Sequence, residues 1–320
     1  YTSNNYISKL GFKNNFDLYL KNLNSVGKND SIYTSNAQID GMSILKVDTS
    51  FPLIKFKNLT KETLTPKVSF RINPGNNMDD YSSSSANISA DNAFDLNRLG
   101  ISNDFEAGRS LTFGLDYKLD PIEDNPSEDE DIKDKFLEIK LATIIRDQNE
   151  NDIPISSTIN KKNSDLFGSV KNQLFDNINL TYDVSLDNDM KTINSNAIET
   201  EISINNFITT FNYIEQRNDI GSTHLLSNVT EYKFDENTSL KFSTRRNKKI
   251  NLTEYYDLSY EYKNDCLTAA LKFNKSFYQD NDLKPTEDLF FTITLIPLTT
   301  YEKEIYKKIP GKQNGLKSWF

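Results

Sequence analysis

Between Leu252 and Pro297 apolar and polar side chains alternate with a period of two, in three runs of about ten residues each. In the first run Leu252, Tyr256, Leu258, Tyr260 and Tyr262 share one face, with Thr253, Asp257, Ser259 and Glu261 on the other. The second sets Leu267, Ala269, Leu271 and Phe273 against Thr268, Lys272 and Asn274. The third sets Leu289, Phe291, Ile293 and Leu295 against Phe290, Thr292 and Thr294. A helix needs a period near 3.6, whereas a strand apolar on one face needs a period of two. Each run is long enough to cross a bilayer at a tilt, which takes about 9–11 strand residues. Aromatic residues mark the ends of the apolar face, as interfacial girdles do.

The pattern recurs along the chain. Leu111, Phe113, Leu115, Tyr117 and Leu119 oppose Thr112, Gly114, Asp116 and Lys118. Leu137, Ile139, Leu141, Thr143 and Ile145 oppose Glu138, Lys140 and Ala142. Ile178, Leu180, Tyr182, Val184 and Leu186 oppose Asn179, Thr181, Asp183 and Ser185, and Thr230, Tyr232 and Phe234 oppose Glu231 and Lys233. About fourteen strands are predicted: 15–24, 44–57, 64–73, 109–119, 136–146, 165–174, 177–187, 196–205, 207–215, 225–234, 239–246, 252–262, 266–276 and 288–298. Phe51-Pro52-Leu53 is the least regular stretch, because proline removes a ladder donor.

Low mean hydropathy (-0.62) with 20 Phe and 16 Tyr fits a structure that greases only every second residue. A transmembrane barrel and a soluble β-sandwich both do so. The net charge of -9 argues against nonspecific nucleic-acid binding, which needs clustered positive charge. No run approaches the length of apolar sequence that a transmembrane helix requires. The chain begins at Tyr1 without Met or a signal-peptide pattern, which reads as a fragment or a mature form lacking an N-terminal part.

Chemistry is sparsely provided for. One cysteine, Cys266, and one histidine, His224, do not make a Cys/His metal site. A Ser-His-Asp triad would have to use His224, which lies in a polar stretch without a recognisable orienting partner. Neither GxGxxG nor GxxxxGK occurs. No catalytic residue and no cofactor are expected.

The connectors towards the C-terminus alternate short and long. Asp176-Asn177, Asn205-Asn206, 235–238 and 263–265 are tight turns, and 188–195, 216–224, 247–251 and 277–287 are longer. Outer-membrane barrels pair short periplasmic turns with longer outer loops. Two connectors break the alternation. The acidic run 120–135 falls on the short side and lacks the ligand spacing and Gly of an EF-hand. The Asn/Ser-rich insertion 74–108 falls on the outer side, where it would fold into a lumen or cap it.

The non-greasy face carries Asp116, Glu138, Lys140, Asp183, Glu199, Glu201, Glu231, Lys233, Asp257 and Lys272. Buried dry and unpaired, such groups cost several kcal/mol each; facing a wet lumen they cost little. The expected fold is therefore all-β, an antiparallel transmembrane β-barrel with Asp116, Glu138, Lys140, Asp183, Glu231 and Asp257 facing the lumen. Residues 1–298 form the barrel portion, and 299–320 a periplasmic tail, irregular or helical over Tyr301 to Ile309.

Four stretches resemble the C-terminal barrel part of the outer-membrane LPS-assembly family known as LptD, OstA or Imp. They are Leu64 to Lys67 with Asn92 to Gly100; Gly108 to Tyr117; Ile153 to Ser157 with Asn163 to Gly168; and Asn264 to Leu267 with Phe277 to Pro285. They occur in family order over roughly 60–297. The resemblance implies a non-enzymatic translocon of the Gram-negative outer membrane. It would take lipopolysaccharide from a periplasmic transport bridge, pass it through a barrel containing an LptE-like plug lipoprotein, and release it sideways into the outer leaflet. The exit would lie between the first and last barrel strands, with Leu289, Phe290, Phe291, Thr292, Ile293, Thr294 and Leu295 in the C-terminal gate strand. Cys266 matches a family cysteine that can be disulfide-linked to the periplasmic N-terminal domain. Many members carry an adjacent pair there, and the N-terminal jellyroll is absent here. About fourteen strands fall short of the family's full barrel, so an incomplete barrel is expected. Two readings of other classes remain beside it: a porin-like or ligand-gated channel, and a soluble adhesion sandwich.

Overall fold

The computed structural model describes residues 1–28, 35–57, 59–75, 84–101, 105–122, 135–277, 285–295 and 299–308. Most of the acidic run, part of the insertion, Tyr278 to Lys284, Ile296 to Leu298 of the expected last strand, and the tail beyond 308 lie outside them.

The described chain is all-β. Its strands are β1 Tyr6–Ile7, β2 Lys13–Ser25, β3 Gln38–Ser50, β4 Leu53–Lys57, β5 Thr60–Asn73, β6 Gly108–Pro121, β7 Leu137–Arg146, β8 Leu166–Phe175 and β9 Ile178–Leu186. They continue as β10 Ile193–Ile204, β11 Phe207–Gln216, β12 His224–Lys233, β13 Thr238–Asn247, β14 Leu252–Lys263, β15 Leu267–Ser276, β16 Thr286–Leu295 and β17 Thr299–Lys308. Two single-turn 3-10 segments, Ile155–Ser157 and Asn218–Ile220, sit in connections. Among the described residues no helix is long and apolar enough to cross a membrane.

Two compact units are formed. The first comprises Tyr1–Gln173, Tyr182–Asn196 and Gln216–Ser222, and the second Leu174–Thr181, Ala197–Glu215 and Thr223–Phe320. In the first, β2 through β8 form an antiparallel ladder, with β3 and β4 both pairing with β5. In the second, β11 through β17 pair each with the next, again antiparallel.

The register sets apolar residues side by side across neighbouring strands. Phe70, Leu111 and Ile145 form one row, and Val68, Phe113 and Thr143 the next. These side chains stay open to the surroundings, Phe113 at 41% and Ile145 at 43%. A contiguous apolar surface of this kind is a liability in water and is stable against hydrocarbon.

The predicted strand 44–57 is two strands. The β3–β5 ladder ends at Ser50↔Lys67 and the β4–β5 ladder begins at Leu53↔Leu64. Pro52 and Pro66 both fall in the gap, where each removes a donor, while Phe51 still donates to the Pro66 carbonyl at 3.0 Å. The expected irregular tail is also corrected. Thr299–Lys308 is a strand, β17, paired along β16. Leu289 to Leu295 therefore lie on a strand hydrogen-bonded on both sides, to β15 and to β17, and are not the C-terminal strand of the chain.

Candidate functional site

The inner, polar face of β5 to β8 holds a group of paired charges. Register rows place Arg71, Ser110 and Arg146 side by side, then Ser69, Thr112 and Ile144, then Lys67, Gly114, Ala142 and Phe167. Below them lie Thr65, Asp116, Lys140 and Ser169, then Lys118, Glu138 and Lys171. This face is not bare. The described part of the insertion, 84–101 and 105–107, packs onto it.

Turn chemistry shapes that cover. Ser89 donates to the Asn92 side chain at 2.8 Å, Ala93 to the Ser89 carbonyl at 3.1 Å, and Asp95 to the Asn92 carbonyl at 3.0 Å. Gly100 has φ +67, the left-handed region that favours glycine. Ile88, Ala90 and Ala93 join Ala142, Ile144 and Phe167 of the strands, and Ile153 and Ile159 of the β7–β8 connection, in one buried cluster with Phe94 and Leu99 against it. Gly114 makes room for Phe94: a Cβ there would lie 2.6 Å from the ring. Lys67 Nζ stands 4.3 Å from the centroid of the same ring and bonds Asp116 at 2.7 Å.

Charge fastens the cover at two places. Arg98 Nε donates to Glu106 Oε2 at 2.9 Å, and its Nη2 donates to Oε1. Arg98 further donates to Thr112 Oγ1 at 3.0 Å and Ser110 Oγ at 2.9 Å. Arg146 reaches the same carboxylate at 3.1 Å and the Ala107 carbonyl, and Arg71 donates to the Leu96 carbonyl. All four charged side chains are buried. Burial opposes ionisation of Glu106, but the guanidinium groups of Arg98, Arg71 and Arg146 outweigh it and hold the carboxyl well below its ordinary range. At the second place Asp91 accepts from Lys140 at 2.8 Å and from Lys171 at 2.6 Å. Partial burial pushes Asp91 up, and these two ammonium groups bring it below its ordinary value.

The residues singled out from sequence are distributed over both units. Asp116, Glu138 and Lys140 belong to the covered face, with Glu138 bonded to Lys140 at 2.9 Å. Asp183 is half-buried on β9. Glu231 sits opposite Lys241 on the polar face of β12 and β13. Asp257 accepts from Ser243 at 3.4 Å and from Asn274, making a polar ladder across β13, β14 and β15. Cys266 is free and exposed at the β14–β15 turn, where its N–H donates to Asn264 Oδ1 at 3.0 Å. Arg71, Arg98, Glu106, Arg146, Asp91 and Lys171 were not legible as a group. The available signal was Arg71 and Arg146 ending the polar faces of two strands beside a long polar insertion. Among the described residues no group of His, Cys, Asp and Glu is placed to hold a metal. The arrangement offers a fixed wall of paired, buried charges beneath the cover.

Membrane-length antiparallel strands, apolar outside and charged inside, with connections alternately short and long, define an outer-membrane β-barrel protein. The family described as LptD, LPS transport system D, matches residues 15–246, more than half of the chain. The chain belongs to that family, a lipopolysaccharide-transport protein of the outer membrane. A triple mutant of the Rhodopseudomonas blastica porin is 8% identical with a TM-score of 0.35, over 90% of this chain and 92% of that one. A structure described as asymmetric conductivity of engineered proteins is 10% identical with a TM-score of 0.34, over 97% and 95%. No curated protein matches the chain.

Proposed function

We propose that this chain forms the wall of a translocon that receives lipopolysaccharide from the periplasm and releases it sideways into the outer leaflet. Family membership carries this reading, and the polar ladder of Ser243, Asp257 and Asn274 across β13, β14 and β15 supports it. Phosphorylated sugars need a hydrated polar wall, while acyl chains need a seam that opens to hydrocarbon. The seam is assigned to β17 rather than to Leu289–Leu295, because β17 is the last strand of the chain described. No bond is made or broken in this reading. An LptE-like lipoprotein in the lumen and a periplasmic bridge delivering cargo are its partners, and Cys266 its anchor to a segment outside these residues.

Depletion of the parent protein, with lipopolysaccharide assayed at the cell surface, tests it. Surface lipopolysaccharide is expected to fall while it accumulates at the inner membrane. Undiminished surface lipopolysaccharide would overturn the reading.

A further inference from the structure

The outer end of β12 to β14 carries a cluster of cations that the inner face does not use. Arg246 continues the outward alternation Leu240, Phe242, Thr244 and lies directly opposite Leu226, a 36% exposed residue of the apolar face. Lys248 and Lys249 follow in the β13–β14 connection, and all three cations are exposed. Lys248 Nζ lies 5.8 Å from the Tyr213 ring centroid, and its N–H donates to the His224 carbonyl at 2.7 Å, which fixes the turn. Arg246 donates to the Asn251 side chain. Among the described residues none of these three cations makes an ion pair, whereas neighbouring Arg245 is joined to Glu254 and Lys275 to Glu287. Tyr213 donates to Glu215 at 3.1 Å.

Tyr256 and Phe277 lie towards the same rim, with Phe242 further down the apolar face. Phe242 and Tyr256 stack with centroids 6.2 Å apart, and Tyr256 meets Phe277 edge-on at 5.8 Å. Such rings sit at the level of lipid headgroups in membrane barrels. Arg246 is one step beyond the level of Tyr256 and two beyond Phe242, and Lys248 and Lys249 follow it, so that in a chain of net charge -9 these cations stand at the level of outer-leaflet phosphates. We propose that Arg246, Lys248 and Lys249 bind the phosphorylated headgroup of an outer-leaflet glycolipid, with Tyr256 and Phe242 against its acyl chains. This is a resident boundary-lipid site on the outer wall, distinct from the inner face. It rests on outer-membrane location and strand orientation, not on the transport reading.

A photo-crosslinking residue in place of Leu226, in the full-length protein in native outer membranes, tests the site. Lipopolysaccharide is the expected adduct. The Arg246→Gln/Lys248→Gln/Lys249→Gln variant should lower its yield, with affinity falling about fivefold for each cation removed. Lys233→Gln/Lys241→Gln/Lys263→Gln, towards the other end of β12, β13 and β14, should leave the yield unchanged. Equal yield from the two triple variants, or no glycolipid adduct in the parent, would overturn the proposal. Loss of the adduct on adding inorganic phosphate equimolar with the lipid would replace the lipid site by a plain anion site and also overturn it. Unchanged surface lipopolysaccharide in a depletion experiment would leave this result standing.

Discussion

Arg98 and Glu106 meet through two hydrogen bonds beneath the inserted segment, each side chain 2% exposed. Glu106 is also the carboxylate that Arg146 reaches, so one anion serves several buried cations. Glu106→Gln leaves those guanidinium groups without a counter-charge. Breaking a buried pair in this way costs about 3–5 kcal/mol. The urea midpoint of the refolded protein should fall accordingly, and protease should reach 86–101. Arg109→Gln removes the exposed pair with Asp147 at 2.9 Å and should cost under about 1 kcal/mol.

Acid should loosen the same cover. Glu106 and Asp91 both titrate below their ordinary values of 4.5 and 3.8 when folded. A carboxyl depressed by folding stabilises fully above its unfolded value and loses that contribution as pH falls through the folded one. Amide exchange in 86–101, corrected for intrinsic rates, should be flat from neutral pH down to the ordinary carboxylate range. It should rise only below that range. A rise already near pH 6 would implicate other groups.

Gly114→Ala places a methyl 2.6 Å from the Phe94 ring. The ring must leave the strand, taking its contact with Lys67 with it. Overpacking of this kind costs about 1–3 kcal/mol. Phe94→Leu in the same chain should recover part of the loss, read as the difference in urea midpoint.

Cysteines placed at Phe291 and Lys303 test β17, since these residues face each other in the ladder. Directly opposed strand residues lie within disulfide reach, about 4.5–5.5 Å between Cα atoms. With Cys266 replaced by Ser, efficient crosslinking under mild oxidation is expected. An irregular tail over 299–308 would give none.

Cys266 is proposed to pair with a cysteine outside these residues. In periplasm-exposed full-length protein it should resist maleimide until reductant is added, and migrate differently on non-reducing gels. Immediate labelling without reductant would contradict that pairing.

Strands with a clean period of two were legible, because one face meets hydrocarbon and the other does not. Leu111 to Leu119 and Leu252 to Tyr262 were legible for that reason. β17 was not, because Ile305 has no partner opposite it and flips the alternation between Tyr301 and Tyr306, and because its remaining residues are mostly charged. The 44–57 stretch read as one strand because its apolar pattern runs through Phe51, although Pro52 ends the hydrogen bonding. The covered inner face depends on contacts between distant parts of the chain. Nothing local to Arg98 announces that Arg71 and Arg146 will stand beside it.

The Asp91 bridge also fixes an order of events. Its second partner, Lys171, is 80 residues away on β8. The second fastening of the cover, at Asp91, therefore stays incomplete while β5, β6 and β7 are the only strands in place. Contacts of such long separation form late. The end of the segment around Asp91 would thus stay half-tied until the fourth strand of this wall arrives, and the closing of its second bond would mark that section of the wall as finished.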